Sequence, residues 1–264
     1  MELTLKILNK DGITMAETSG ENGLCLVYNG KYADGDKILL SASEYPAHLV
    51  WQVDDALGQA QCYVTRDVVY QIPFGEKKTV YSPKTFSGEK HHLFVRTADD
   101  DEIKAYRNLA LNVADQHDVE GCYPHAKANV ETRGESVFAA RNAIDGNCAN
   151  SSHGLWPFQS WGINRDPNAC FTLEFGRPVS IDRLKIWLRA DFPHDAWWTE
   201  GTVTFSDGSK EILCFEKTDR GQVFQIAPRT VSWLTFDKLI KAEDPSPFPA
   251  LTQIAVYGKD GSHL

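Results

Sequence analysis

Short apolar runs alternate with polar residues along almost the whole chain and end, roughly every 8 to 15 residues, on a turn-forming pair. This constrains the fold more than any other feature. A period of two suits a half-buried strand, and no sustained helical period competes with it. In the first half "LTLKILN", "GLCLVYNG", "DKILLSAS", "HLVWQVDD", "QCYVTRD", "VVYQIPF" and "HLFVRTA" fit the pattern, with "NG", "DG" and "SG" supplying turns. The second half repeats it in "ACFTLEFG", "IDRLKIWLRA", "GTVTFSDGS", "KEILCFE", "GQVFQIA", "VSWLTFD" and "LTQIAVYG". An all-β chain of sandwich type follows.

A polar, turn-rich stretch between Asn112 and Glu135 separates the halves, and six of the seven tryptophans lie beyond it. The expected organisation is two tandem β-sandwiches, residues 1–118 and 119–264. "DDDEIKAYRNLALNVADQHD" has room for a short helix, but "YRNLALNVA" reads better as a strand leaving the first sandwich. Trp51, Trp161 and Trp187 fall in strand patterns and are expected in the core. In the adjacent pair Trp197 and Trp198, alternation sends one ring inward.

Charge narrows the partners. Net charge is −9, and neither half carries a basic stripe, so neither nucleic acid nor an anionic membrane surface is an expected partner. No apolar run approaches the roughly 18 residues of a membrane span. The six cysteines form no CxxC pair, and Cys25, Cys170 and Cys214 sit in apolar runs, where free thiols act as small hydrophobes. "MELTLKILNKDG" reads as a first strand, not as a leader. A cytoplasmic setting is therefore expected, or an extracellular one if a leader was removed.

From Ala128 to Gly258 several motifs recur in a fixed order: "VFAARNAIDGN", an aromatic loop ending in "SWGI", "ACFTLEFGRPVSIDRLKIW" and a closing "ALTQIAVYG". This resembles the discoidin, or factor V/VIII C-type, domain, the jelly-roll of galactose-binding-like carbohydrate modules. The resemblance implies such a jelly-roll for the C-terminal domain, with ligand loops at one end. The N-terminal domain matches no family in this way.

"NAIDGN" offers one carboxylate, Asp145, a turn glycine, and the amides of Asn142 and Asn147. Calcium takes six to eight oxygens, many of them carbonyls of such a turn. The resemblance implies a structural calcium ion held by Asp145, carbonyls near Asn142 and Asn147, and a hydroxyl of Ser151 or Ser152. Where the family adds a glutamate from the last strand, this chain has Gln253, which removes a charge and weakens the site. Read from the residues alone, the same turn is equally one in which Asp145 caps backbone amides without metal.

Sugars present flat C–H faces bordered by hydroxyls, so a site needs an aromatic face and planar polar side chains. Two loops carry that inventory. "HGLWPFQSWGINRD" offers His153, Trp156, Phe158, Gln159, Asn164 and Arg165. "RADFPHDAWWTEG" offers Arg189, Asp191, Phe192, His194, Asp195, Trp197 and Trp198. The expected ligand-binding set is Arg189, His194, Trp198 and Trp156, with Asp191, Asp195 and His153 beside them. Arg189 with Asp191, or His194 with Asp195, would serve equally as a loop brace.

Non-catalytic glycan binding by these loops is the leading expectation. A structural or protein-interaction module, with the loops buried at an interdomain or subunit interface of a homo-oligomer, is the alternative. A third reading is a glycoside hydrolase with two carboxylates about 5 to 9.5 Å apart. No GxSxG, HExxH, P-loop or Rossmann motif supports an enzyme.

Overall fold

Strand β1 (Glu2–Leu8) shows how the alternation is used: Leu3, Leu5 and Ile7 are buried while the residues between them are not. The computed structural model describes residues 1–149 and 154–261. Further strands are β2 (Thr14–Glu21), β3 (Gly23–Asn29), β4 (Lys37–Ala42), β5 (Ala47–Gln52), β6 (Ala60–Val64), β7 (Val68–Gln71) and β8 (Lys90–Thr97). They continue with β9 (Arg107–Asn108), β10 (Cys122–Tyr123), β11 (His125–Ala128), β12 (Trp161–Gly162) and β13 (Phe171–Leu188). The last are β14 (Trp198–Phe205), β15 (Lys210–Cys214), β16 (Gln222–Lys241) and β17 (Ala250–Asp260).

Two antiparallel sheets, in the orders β2-β1-β4-β7 and β10-β6-β5-β8-β3, enclose the N-terminal core around Leu5, Ile38, Leu49, Trp51, Tyr70 and Val95. The third sheet, β12-β17-β13-β16-β14-β15, forms the C-terminal jelly-roll sandwich around Trp161, Phe171, Trp198, Phe236 and Leu251. It closes because β13 and β16 are long enough to bend. Phe171–Glu174 pair with β11 and with Trp233–Phe236, whereas Val179–Leu188 pair with β17 and the start of β16. Gly176 lies at the bend with φ +69°, and a Cβ there would fall 2.3 Å from the Tyr123 ring. Strands that turn a sandwich corner need such a break.

The connection between the halves is interleaved. Helix α1 (Asp100–Lys104) starts on a capping box of Asp99 and Glu102, so the stretch does hold a short helix, and of the strand expected over "YRNLALNVA" only Arg107–Asn108 forms, as β9. The bidentate Arg96, and after it the Asp99 N–H of the box, hold the Glu102 carboxyl down to about 2. Leu109 and Ala110 belong to the C-terminal core, Ala114, Val119 and Cys122 to the N-terminal one. β10 then extends the N-terminal sheet and β11 the C-terminal one. We propose residues 1–118 and 119–264 as the two domains, with these exchanges crossing their border. Between the halves, the Arg177 guanidinium donates to Asp260 and lies 5.0 Å over the Tyr63 ring.

Some side chains depart from expectation. Trp187 is half-buried, its ring covered by Lys185 Nζ at 4.5 Å. Of the tandem pair, Trp198 points inward and Trp197 packs partly buried against the same core. All six cysteines are free; Cys62 and Cys122 are buried, whereas Cys25 and Cys214 face out of their strands. No helix is long and apolar enough to cross a membrane among the described residues.

Candidate functional site

Four connections of the C-terminal sandwich converge on one groove of about 340 Å³. Thr132, Arg133 and Phe138 come from the turns after β11, and Ile163 to Arg165 follow Gly162 at the end of β12. Arg189, His194 and Asp195 follow β13, and Pro247 to Ala250 lead into β17. Arg189 is anchored there because its backbone N–H donates to the Ala250 carbonyl at 2.9 Å, continuing the β13–β17 ladder.

Asp195 organises the loop. It is buried, with Arg189 Nε 3.3 Å from one oxygen, which also accepts the Asp191 N–H at 2.9 Å. Its other oxygen lies 3.0 Å from His194 Nδ1. A buried carboxylate needs such a cation and such donors to offset its desolvation. The Ser246 hydroxyl donates to the His194 carbonyl, tying this loop to the one before β17. His194 then stacks on Phe248, ring centroids 5.5 Å apart and planes 16° apart. Both stay accessible, the His194 side chain at 43% and Phe248 at 45%.

On the facing wall, Asn164 and Arg165 have φ of 48° and 60°, a left-handed pair that non-glycine residues seldom adopt. The Asn164 N–H donates to Thr132 Oγ1 at 2.9 Å, fixing the turn, and the Arg165 guanidinium lies 5.7 Å over Phe248. Arg133 is held by both oxygens of Glu135 at 2.6 and 2.7 Å and sits 5.5 Å over Phe138.

The expected ligand set divides accordingly. Arg189, His194 and Asp195 line the groove; the expected His194–Asp195 brace is in place, and Arg189 adds a pairing with the same Asp195. Asp191 supports Asp195 through its backbone. Trp198 is corrected: its ring is 0% exposed, packed 6.5 Å from Trp161 and edge-on to Phe236, and cannot present a face to a ligand. Trp156 is 39% exposed but does not line the groove. His153 and Ser151 lie outside the described residues. Phe248 was missed, although an aromatic residue between prolines just before the last strand is a visible signal.

Asp191, His194 and Asp195 bring three ligand atoms within 4.8 Å of one another, but Arg189 already supplies the cation that Asp195 faces. The "NAIDGN" turn does not fit calcium either. Asp145 Oδ1 accepts the Asn147 N–H at 2.8 Å and Gln253 Nε2 at 2.7 Å, and Oδ2 accepts Gln159 Nε2 at 2.9 Å. Arg141 Nη1 lies 3.7 Å from Oδ2. Burial raises the Asp145 carboxyl, and Arg141 pulls it back. The Gln253 amide also donates to the Asn142 carbonyl and accepts from the Gly146 N–H at 3.0 Å. The Asn142 side-chain amide is turned to the Ser136 and Ser160 carbonyls. One carboxylate matched by one guanidinium leaves no negative charge for a hard dication, and amide N–H groups point at the oxygens it would need. Melting in excess EDTA and in millimolar calcium is expected to give the same midpoint, within about 1 °C. A shift of the size that mass action gives a ligand at about 100 times its Kd, roughly 2.7 kcal/mol, would contradict this.

A wider cleft of about 810 Å³ lies where the two halves meet, lined by Asp34, Glu76, Lys77, His117, Asp118 and Arg141 among others. Glu76 spends both oxygens on the Ser136 N–H and hydroxyl, at 2.7 and 2.8 Å. The smaller groove takes its lining wholly from residues 132–250, so the N-terminal half forms none of its described wall.

No protein-family model matches the chain. No curated protein matches it. Among solved structures it is similar to chitosan-binding module 1 of a chitosanase/glucanase from Paenibacillus sp. IK-5, with 18% identity and a TM-score of 0.39 over 58% of this chain and 100% of that one. A Streptococcus pneumoniae fucose binding module has 13% identity and a TM-score of 0.42 over 58% and 98%. The family 32 carbohydrate-binding module of Clostridium perfringens NanJ, in complex with galactose, has 17% identity and 0.38 over 50% and 91%.

Proposed function

We propose that the C-terminal groove binds a saccharide without transforming it. The observation that carries this reading is the half-exposed His194–Phe248 stack beside the buried Arg189–Asp195 pair. The stacked rings offer an apolar surface for the C–H face of a pyranose, and His194 with Asn164 supplies hydroxyl partners beside it. A groove of this volume takes one sugar ring with part of a second. Asp195 is the lining carboxylate, and its oxygens are committed to Arg189, His194 and the Asp191 N–H, which supports binding over acid–base chemistry.

Few atoms would be fully desolvated, so a single sugar should bind at about 10 µM to 1 mM. Calorimetric titration with a panel of hexoses, uronic acids and amino sugars checks this. Phe248→Ala is expected to weaken binding about ten-fold or more while leaving the melting temperature nearly unchanged, since half of the ring is already exposed. If no member of the panel bound at 10-fold above that range, the reading would fail.

A further inference from the structure

We propose that the sugar taken by this groove carries an anionic substituent, a uronic carboxylate or a sulfate ester, and that Arg165 is the residue that selects it. The inference rests on the saccharide reading above and adds a ligand class to it.

It comes from the charges along the groove, taken one at a time. Arg133 is neutralised by Glu135 through two hydrogen bonds. Arg189 is buried against Asp195. Asp195, the lining carboxylate, is thereby spent as well. Arg165 alone among the lining arginines has neither a hydrogen bond nor an ion pair from its side chain to any described residue. Its contact is with the Phe248 ring, 5.7 Å below the guanidinium carbon. The groove therefore carries one uncompensated positive charge, on a chain whose net charge is −9.

Such a charge is placed, not incidental. Arg165 sits in a left-handed turn held by the Asn164 N–H to Thr132 Oγ1 bond, so its side chain leaves the wall toward Phe248. A guanidinium lying over an aromatic ring keeps its N–H edge outward, the geometry that takes two oxygens of a carboxylate or sulfate at once. The same ring stacks with His194, where the sugar would rest. An anion at one corner of the ring and a C–H face on the aromatic pair can therefore be met together. A neutral sugar would leave the guanidinium to water. At physiological salt the acidic remainder of the molecule is largely screened beyond a Debye length of about 8 Å, so the local contact with Arg165 decides capture of a charged ligand.

The test is calorimetry on the full chain at about 150 mM salt, comparing galacturonate with galactose, glucuronate with glucose, and galactose 6-sulfate with galactose. Wild type is expected to prefer the acidic member of at least one pair by about ten-fold. Arg165→Gln should erase that preference to within about two-fold while leaving the weaker neutral binding and the melting temperature in place, and Arg165→Lys should keep part of it. Preference for the uronates assigns the anion to a carboxylate, and preference for the sulfated sugar assigns it to a sulfate ester. Equal binding of neutral and acidic sugars by wild type, or a preference that survives in Arg165→Gln, overturns the inference while saccharide binding stands. Absence of binding by every one of these sugars overturns both.

Discussion

Trp198→Ala is expected to destabilise the C-terminal sandwich by about 3–5 kcal/mol. That is a large share of the roughly 5–15 kcal/mol that holds a typical domain together. The indole is fully buried, tilted against Trp161 at 6.5 Å and edge-on to Phe236 at 5.9 Å. Truncation opens a cavity between strands β12, β14 and β16, whose backbones are tied in one sheet and cannot collapse into it. Trp198→Phe should be milder. Nε1 of this indole is buried without a hydrogen-bond partner among the described residues, so removing the N–H relieves an unmet donor while most of the ring volume stays. Urea titration followed by fluorescence measures both, and saccharide titration of Trp198→Phe should match wild type. A Trp198→Ala protein that kept its stability and lost its ligand would put this ring at the groove and undo the packing described above.

Why the tryptophan was misplaced while its strand was not is a matter of parity. Period-two alternation marks β1, β8 and β13 plainly, and it separates buried His91 from exposed His92. Between Trp197 and Trp198 it says only that one ring is inside. The register that decides which comes from Trp198 pairing with Lys241, 43 positions away, and no local pattern carries that. Strands of two residues, such as β9 and β10, are too short to show alternation, so the interleaving of residues 107–128 was hidden. The groove was half legible. Arg189, His194 and Asp195 follow a clear strand, but Phe248 stands in "EDPSPFPAL", where no periodicity orders the residues. For the turn at Asp145, the neutralising Arg141 was in plain view four residues upstream. Its effect depends on a 3₁₀ turn, Ala140–Ile144, that brings the guanidinium back onto the carboxylate.

Asp195 is where the fold and the proposed recognition meet, and Asp195→Ala is expected to damage both. Removing one member of a buried ion pair costs about 3–5 kcal/mol, because the other charge keeps its desolvation and loses this carboxylate. It also removes the acceptor of the Asp191 N–H and the carboxylate beside His194 Nδ1, so the loop from residue 190 to 197 loses two contacts that orient His194 against Phe248. Saccharide affinity should fall by at least about ten-fold in whatever protein remains folded, because an ordered ring pair must then be assembled at the moment of binding. Stability and recognition separate in the double variant Arg189→Met with Asp195→Ala. With neither charge present, much of the stability should return, since an apolar pair of similar volume serves a core as well as an ion pair does. Binding should stay weak, because the His194 ring has then lost its contact with the Asp195 carboxylate. Denaturation midpoints and calorimetric titration on the single and double variants decide the matter. Recovery of both properties together would mean that Asp195 acts only as a structural brace. Recovery of stability alone would make it the positioning residue of the groove.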